Sequence, residues 1–381
     1  MTTILTNARL VLRDRVIHGT IVLGGVLEGA TILEVQEGRS QAPGAIDVEG
    51  DTIIPGVVDV HTDNLERQVQ PRSNARWPSR SAMLTHDAQC AASGVTTVLD
   101  ALCLGDLGFD KERIKTFKDG VVDLDALADT GLLKSEHFLH LRCELPAADM
   151  IELFEPVAAH KRVRMVSLMD HSPGVGQYAN LDRYRTMRKR EGHPAEWVER
   201  RIVELQAMRE KMRGPNRRRL LELVRDHPAA LASHDDRTAE EIAENDADGI
   251  RISEFPVSLI AATEARRRGM QVIAGAPNIV RGGSHSGNVS AAELVRQRAV
   301  DGLASDYVPA SLVEAAFACV HQTGITLPEG VALITANPAG MANLPDRGRL
   351  EPGLRADIVR IREWESMPVI RQVWRAGERV I

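Results

Sequence analysis

The chain has 381 residues, 43% of them hydrophobic, which is enough to bury a large core and to form more than one structural unit. A formal net charge of −6 and 3% aromatic residues argue against nucleic-acid or anionic-membrane partners. Four scattered cysteines without a CxxC pair indicate reduced thiols, and the lack of a signal-like or membrane-spanning run predicts a cytoplasmic location.

The two ends of the chain share one sequence pattern, in which short β-type runs are separated by turns. Residues 1–54 contain short β-type runs separated by Gly-containing turns, such as ARLVLRDRV, GTIVL and GATILEVQEG. Residues 336–381 resume this pattern with ADIVRIRE and IRQVWRAGERVI. We therefore predict a small β-sandwich domain that is formed from both termini.

Between these ends, residues 55–335 alternate apolar strand-like runs with helical stretches. Eight such runs follow one another, namely GVVDVHTD, VTTVLDALCLG, HFLHLRCEL, VRMVSLMDH, AALASHDD, GIRISEF, MQVIAGAPN and DGLASD. This alternation predicts an α/β fold, a (β/α)8 TIM-like barrel.

A charged segment near residues 178–228, rich in Arg, Lys and Glu, interrupts the alternation and has a helical pattern. Two interpretations are open. We favour a solvated helical excursion or subunit contact, which fits an expected homo-oligomer. The alternative is a basic lid over an anionic substrate.

Most of the strand candidates end in side chains that a soluble core does not need. In chain order these are His61 and Asp63, Glu144, His171, His234 and Asp306. In this class of barrel the carboxyl ends of the strands form the active site, so these residues are expected to converge. Three imidazoles and three carboxylates suit two divalent ions per chain, with zinc expected and manganese as the alternative. Glu144 is the expected bridging ligand.

The motif PGVVDVHTD followed by a helix, the ligand-type strand ends, and an SD pair before GRLEPGLRADIVRI together resemble the amidohydrolase superfamily. The resemblance implies a barrel with one or two metal ions and a sandwich built from both termini. The superfamily's usual HxH motif is HxD here because Asp63 replaces the second His. Glu144 stands in the place of the usual carboxylated Lys. Both departures indicate a subgroup.

The strings HTDNLE, HLRCELP, VSLMDHSPG, GAPNIVRGGSHSGNVSA and SDYVPASL resemble a diphosphatase subgroup that acts in phosphonate catabolism. This resemblance implies a small-molecule ribosyl triphosphate substrate, cleaved to its 5-phosphate and pyrophosphate. Metal-activated water would attack the α-phosphorus, with Asp306 as general base and Glu144 supporting both ions.

Several residues are candidates for holding the triphosphate. The segment VRGGSHSGN follows a late strand and offers Arg281, Gly282, Gly283, Ser284 and His285, a combination that suits a backbone anion nest. The alternative interpretation of this segment is an ordinary Gly-Ser loop without a role in substrate binding. Further candidates are Arg72, which we prefer to Arg76, and Arg142, which is either a phosphate ligand or a buried partner of a carboxylate. For His86 and Asp87 we expect a packing role.

Two rival functions are open. The first is a cyclic-amide or deaminase-type amidohydrolase on the same scaffold, which would not need the Arg-Gly-Ser segment. The second is a non-catalytic partner protein that keeps metal ions for structure. Assays of phosphoanhydride and amide substrates distinguish the first rival function from a diphosphatase. Bound metal without turnover would identify the second.

Overall fold

The computed structural model describes residues 2–72, 75–108, 111–283 and 288–381. Within these residues the strands, in chain order, are β1 (Thr3–Val11), β2 (Val16–Leu23), β3 (Ile32–Glu37), β4 (Ile46–Asp47), β5 (Thr52–Pro55), β6 (Val57–Thr62), β7 (Val95–Leu104), β8 (Glu136–Glu144), β9 (Val163–Met169), β10 (Ala230–His234), β11 (Ile252–Glu254), β12 (Gln271–Gly275), β13 (Gly302–Ala304), β14 (Ile358–Trp364), β15 (Met367–Arg375) and β16 (Glu378–Arg379).

The α-helices of the described residues lie mostly between the strands of the central segment. They are α1 (Asn64–Val69), α2 (Ser79–Ala92), α3 (Lys111–Leu127), α4 (Met150–Phe154), α5 (Leu181–Arg190), α6 (Ala195–Val224), α7 (Ala239–Ala247), α8 (Leu259–Arg267), α9 (Ala276–Val280), α10 (Ala291–Arg296), α11 (Ser311–Thr323), α12 (Leu327–Ala332) and α13 (Ala336–Met341).

Strands β6 to β13 form one sheet in which every neighbouring pair is parallel and follows chain order. The sheet closes on itself where a bridge joins Thr62, at the end of β6, to Asp306, just beyond β13. There the Asp306 amide donates to the carbonyl of His61 at 3.0 Å, and the Asp63 amide donates to the carbonyl of Asp306 at 2.9 Å. The predicted α/β barrel is confirmed, and its closure brings the first and last strand ends together.

The barrel interior is apolar at its lower level. A buried cluster fills it with one or two residues from each strand, including Val58, Leu99, Phe138, Met165 and Ile273. Burial of each such side chain contributes about 1.5–3 kcal/mol relative to exposure. Since this layer fills the barrel from below, ligands can enter only from the carboxyl ends of the strands.

Local sequence signals explain where several helices begin. Thr238 caps α7 and Thr326 caps α12, and in each case a glutamate at the third helical position completes a capping box. Gly94 connects α2 to β7 with φ at +82°, a conformation that favours glycine. Such caps and turns fix the lengths of the helices and the direction in which each strand enters the barrel.

The charged segment between β9 and β10 forms α5 and α6. Its two helices have a small core of their own, formed by Tyr184, Val198 and Ile202. Arg209 anchors α6 to the barrel through an ion pair with Asp170 at 2.6 Å. This insert is therefore held against the barrel rather than extending from it.

The second sheet is built from both ends of the chain, in the order β16-β15-β14-β5-β1-β2-β3, with β4 pairing β1. Its two parts join where β14 runs antiparallel to β5, with Ile358 opposite Pro55. One face buries Leu5, Leu10, Ile21 and Trp374 among other apolar residues. This confirms a separate β-unit from both termini, whereas the boundaries at 54/55 and 335/336 stay predictions.

All four cysteines are buried free thiols. In the part of the chain that the structure describes, no helix is long and apolar enough to cross a membrane.

Candidate metal centre and substrate cavity

A cavity of about 630 Å³ opens at the carboxyl ends of the barrel strands. All six residues predicted as metal ligands line it, and they come from distant parts of the sequence. These residues are His61, Asp63, Glu144, His171, His234 and Asp306. The structure thus brings the predicted set together, and the contacts of each member decide what it can bind.

Glu254, at the end of β11, orients two of the histidines. Its Oε1 accepts from Nδ1 of His61 and its Oε2 from Nδ1 of His234, both at 2.7 Å. Because each Nδ1 carries the proton, each Nε2 keeps a lone pair that points away from Glu254. Burial opposes ionisation of Glu254, but the adjacent His61 and the hydrogen bonds from His234 and His61 hold its pKa well below the usual range. A charged carboxylate therefore supports both imidazoles.

Glu144 orients the third histidine. Its Oε1 accepts from the backbone amide of His171 at 2.8 Å, and its Oε2 accepts from Nδ1 of the same residue at 2.6 Å. Nε2 of His171 is consequently the nitrogen available to an ion. Each carboxylate oxygen of Glu144 has a second lone pair, so these bonds are compatible with metal binding.

Asp235, which the sequence analysis did not single out, completes a group with two of these histidines. Its Oδ2 lies 3.7 Å from Nε2 of His171 and 3.8 Å from Nε2 of His234. Donor atoms that share one zinc ion at about 2.0–2.2 Å stand about 3.3–3.6 Å apart. This Oδ2 is buried and has no hydrogen-bond partner among the described residues. The three atoms therefore fit one divalent ion.

A second group lies at the closure of the barrel. Nε2 of His61 and Oδ1 of Asp63 are buried, and within the described chain neither has a hydrogen-bond partner. Asp306 is bonded through its backbone to both residues. Burial and the adjacent Asp63 carboxylate raise the pKa of Asp306. Metal-ligand atoms without hydrogen-bond partners, together with two adjacent carboxylates, fit the binding of a second cation here.

The backbone aims two of these carboxylates. Asp235 has φ at 57° and Asp306 has φ at 55°, in the left-handed region that aspartate tolerates better than most residues. Asp63 also differs from its predicted place, because β6 ends at Thr62 and Asp63 is the N-cap of α1 without a side-chain capping bond. Its carboxylate is thereby left available to the cavity.

Beneath this centre, His140 belongs to a hydrogen-bond network. Its Nδ1 donates to the carbonyl of Val60 at 2.9 Å, and its Nε2 contacts Oγ of Ser167 at 2.5 Å. Burial lowers the pKa of His140 to about 3, so the ring is neutral. Ser167 also lies 3.0 Å from Glu254. Both ring nitrogens of His140 are thus engaged, which indicates a supporting role.

A separate buried cluster lies between α2 and strands β7 and β8. Asp100 accepts from His86 at 2.7 Å and from His137 at 2.9 Å, and Asp87 accepts from the other nitrogen of His137 at 3.2 Å. Burial opposes a charge on His137, but the Asp100 carboxylate raises its pKa to about 9. This network supports the packing role that we expected for His86 and Asp87.

Cationic side chains form part of the cavity wall. The lining includes Arg113, Arg142, Arg188 and Arg281. Arg281 is exposed at the rim, where its Nη1 lies 3.4 Å from Oη of Tyr307. Arg188 comes from α5 and stacks over the ring of Tyr184 at 5.0 Å. The charged insert therefore contributes a cationic side chain to the cavity wall, a placement that agrees with the less favoured interpretation of this segment.

The remaining predicted substrate residues are placed unevenly. Gly283 lines the cavity, and Gly282 is exposed next to it. Arg72 is exposed and is not among the described residues that line the cavity. Ser284 and His285 lie outside the described residues. The less preferred candidate, Arg76, is paired with Glu112 and Asp119.

Some of the residues that the sequence analysis missed carried a signal. Glu254 ends the strand in GIRISEF and Asp235 follows His234 in LASHDD, so both matched the pattern of polar strand ends. Arg113 and Arg188 lie on helices, where nothing in the sequence shows that their side chains reach the cavity.

Comparisons with known proteins agree with this architecture, although no protein-family model matches the chain. The chain is 42% identical to the α-D-ribose 1-methylphosphonate 5-triphosphate diphosphatase of Escherichia coli (strain K12) over 380 residues, which cover 99% of this chain and 100% of that protein. A solved amidohydrolase superposes with a TM-score of 0.60 at 15% identity and covers 100% of this chain and 99% of that chain. The β-aspartyl dipeptidase of Fervidobacterium islandicum AW-1 superposes with a TM-score of 0.63 at 16% identity and covers 100% of this chain and 97% of that chain. These structures confirm the predicted amidohydrolase fold.

Proposed function

Because the chain belongs to the family of α-D-ribose 1-methylphosphonate 5-triphosphate diphosphatases, we propose that it hydrolyses this ribosyl triphosphate to the 5-phosphate and pyrophosphate. One observation carries the proposal, namely 42% identity over the full length of the E. coli diphosphatase. The cavity supports it, because candidate metal ligands and several arginines line the same space. That combination suits a polyphosphate better than a neutral amide.

The fold and the His/Asp/Glu clusters indicate divalent-metal binding, and the finer assignment belongs to the proposal. We propose that His171, His234 and Asp235 would hold one ion, that His61, Asp63 and Asp306 would hold a second, and that Glu144 would supply a further carboxylate ligand. Zinc is expected, with manganese as the alternative. When bound, two such ions lower the pKa of water and withdraw charge from phosphoryl oxygens.

The protein's own groups place and move the proton. The Asp306 carboxylate, at the closure of the barrel, accepts the proton of the attacking water. Glu254 keeps the protons of His61 and His234 on Nδ1, so that their Nε2 atoms remain ligands. The reacting phosphorus, which is the α-phosphorus of the substrate, is open to water only through the cavity mouth, because the apolar layer closes the barrel from below.

The proposed substrate contacts rest on the position of Arg142, Arg281 and Gly283 in the cavity lining, and on the sequence pattern alone for Ser284 and His285. Arg281 at the rim, with Gly282, Gly283, Ser284 and His285 after it, is proposed to hold the phosphate chain. Arg142 is proposed to contact phosphate at the metal centre. Arg72 stays a sequence prediction, and its exposed position gives it no support. Homo-oligomerisation, the absence of a nucleic-acid partner and a cytoplasmic location also stay predictions.

The test is a product assay on protein purified without chelator and loaded with zinc or manganese. The metal-loaded protein should release pyrophosphate and the 5-phosphate in equal amounts from the ribosyl triphosphate, as measured by ³¹P NMR. A cyclic amide assayed in parallel should not turn over. Glu144→Ala should lose both metal content and pyrophosphate release. Amide hydrolysis without pyrophosphate release would favour the rival amidohydrolase function instead.

A further inference from the structure

Arg142, on β8, is a buried guanidinium with unused donors. Its side chain is 7% exposed and it lines the cavity. Among the described residues, neither its Nε nor its Nη1 has a hydrogen-bond partner. An unpaired buried charge is costly, so unused donors of this kind in a ligand cavity point to an anionic ligand.

The carboxylates nearby do not satisfy Arg142. Oδ2 of Asp63 lies 3.8 Å from Nη1, beyond hydrogen-bond distance, and Asp63 is a proposed metal ligand. Glu66 pairs with another arginine, because its Oε2 accepts from Nε of Arg113 at 2.8 Å, and among the described residues it makes no ion pair with Arg142. A cation bound by Asp63 would withdraw charge from that carboxylate, and Arg142 would then carry a positive charge without an anionic partner.

The location of Arg142 limits which part of the substrate it can reach. Its Nη1 is within 4 Å of Asp63 and therefore next to the groups that would bind the ions. The 1-methylphosphonate is separated from the α-phosphorus by the ribose ring, so Arg142 cannot contact it while the α-phosphorus is at the metal centre. The accessible anions are the oxygens of the reacting and leaving phosphoryl groups.

We infer that Arg142 is a catalytic residue that donates to the leaving pyrophosphate. This inference rests on the proposed function and adds a role to it. In the step, the water oxygen bonds to the α-phosphorus and its proton passes to Asp306. The bond from the α-phosphorus to the bridging oxygen breaks, and its electron pair stays on pyrophosphate. Negative charge grows on that oxygen only as the bond breaks, so a fixed guanidinium there stabilises the transition state more than the bound substrate.

The test is steady-state kinetics of Arg142→Ala on the ribosyl triphosphate, with metal content measured for each preparation. Removal of one fixed donor at a developing anion typically lowers kcat by about 10²–10³. We expect a loss of this size with little change in KM, and weaker inhibition by inorganic pyrophosphate. Arg142→Lys keeps a charge without the fork geometry and should lie between Arg142→Ala and the parent.

Arg217→Ala is the matched control, because the Arg217 side chain is also 7% exposed but pairs with Asp248 on the outside of the barrel. It should lower thermal stability and leave kcat unchanged. If Arg142→Ala does not fold, Arg142→Lys decides the question through kcat and pyrophosphate inhibition. Parental kcat and pyrophosphate inhibition in the folded Arg142 variants, with metal content intact, would overturn the inference. A parent protein that releases no pyrophosphate would overturn the proposed function instead.

Discussion

Glu254→Gln should weaken one ion position while leaving the other intact. In the native protein, the two carboxylate oxygens accept the Nδ1 protons of His61 and His234. Glutamine preserves the shape but replaces one acceptor with an NH₂ donor. Facing that donor, an imidazole must move its proton to Nε2, and it then has no lone pair for a metal ion.

The amide nitrogen can face only one of the two histidines, because the two carboxylate oxygens of Glu254 accept from different rings. The histidine that faces the remaining carbonyl oxygen keeps its proton on Nδ1 and its lone pair on Nε2. One of the two ion positions should therefore lose affinity while the other keeps it.

Loss of such an orienting partner typically lowers metal affinity about 10- to 100-fold, or about 1.4–2.7 kcal/mol. The assay is competition with a chromophoric zinc chelator, which resolves the dissociation constants of the two ions. Glu264→Gln is the control, since Glu264 pairs with Arg267 and Arg268 at the end of α8, away from the cavity. If both dissociation constants of Glu254→Gln equalled those of the parent, Glu254 would not orient metal ligands.

Three other outcomes are expected. Asp235→Asn should reduce metal content towards one ion per chain, because it removes the charge between His171 and His234; two retained ions in elemental analysis would contradict this. The ion pairs of His137 raise its pKa to about 9. Their contribution to the free energy of unfolding is therefore complete below about pH 6.5 and is lost as the pH rises through 9, a loss of about 3 kcal/mol. His137→Gln should flatten this dependence in urea titrations across that pH range, and an unchanged slope would show that the pair does not contribute. Arg281→Ala should raise KM more than it lowers kcat, because Arg281 is exposed at the rim of the cavity and away from the reacting atoms. Values of kcat and KM equal to those of the parent would show that Arg281 does not bind the substrate.

Much of the fold could be predicted from the sequence because its signals are local. Each barrel strand is a short apolar run, and parallel strands that are covered by helices need no alternation of polar residues. The polar residues that end these runs were visible for the same reason. Once a barrel was inferred, residues such as His61 and Asp306, 245 positions apart, had to meet at one end.

What the sequence could not show depends on tertiary contacts. Nothing local shows that Glu254 accepts from two histidines, because those partners come from β6 and β10. The reach of Arg188 depends on how α5 packs through Tyr184. Asp63 is predicted on a strand but occupies the N-cap position of α1, because β6 ends at Thr62, the residue that forms the closing bridge with Asp306.

The proposed function requires attack of water at the α-phosphorus of the ribosyl triphosphate, with release of pyrophosphate. The decisive measurement is hydrolysis by the metal-loaded protein in oxygen-18 water, with the products analysed by ³¹P NMR and mass spectrometry. We expect one labelled oxygen in the ribose 5-phosphate product and unlabelled pyrophosphate. Label in pyrophosphate, or release of orthophosphate instead, would place the attack at another phosphorus and contradict the proposed reaction.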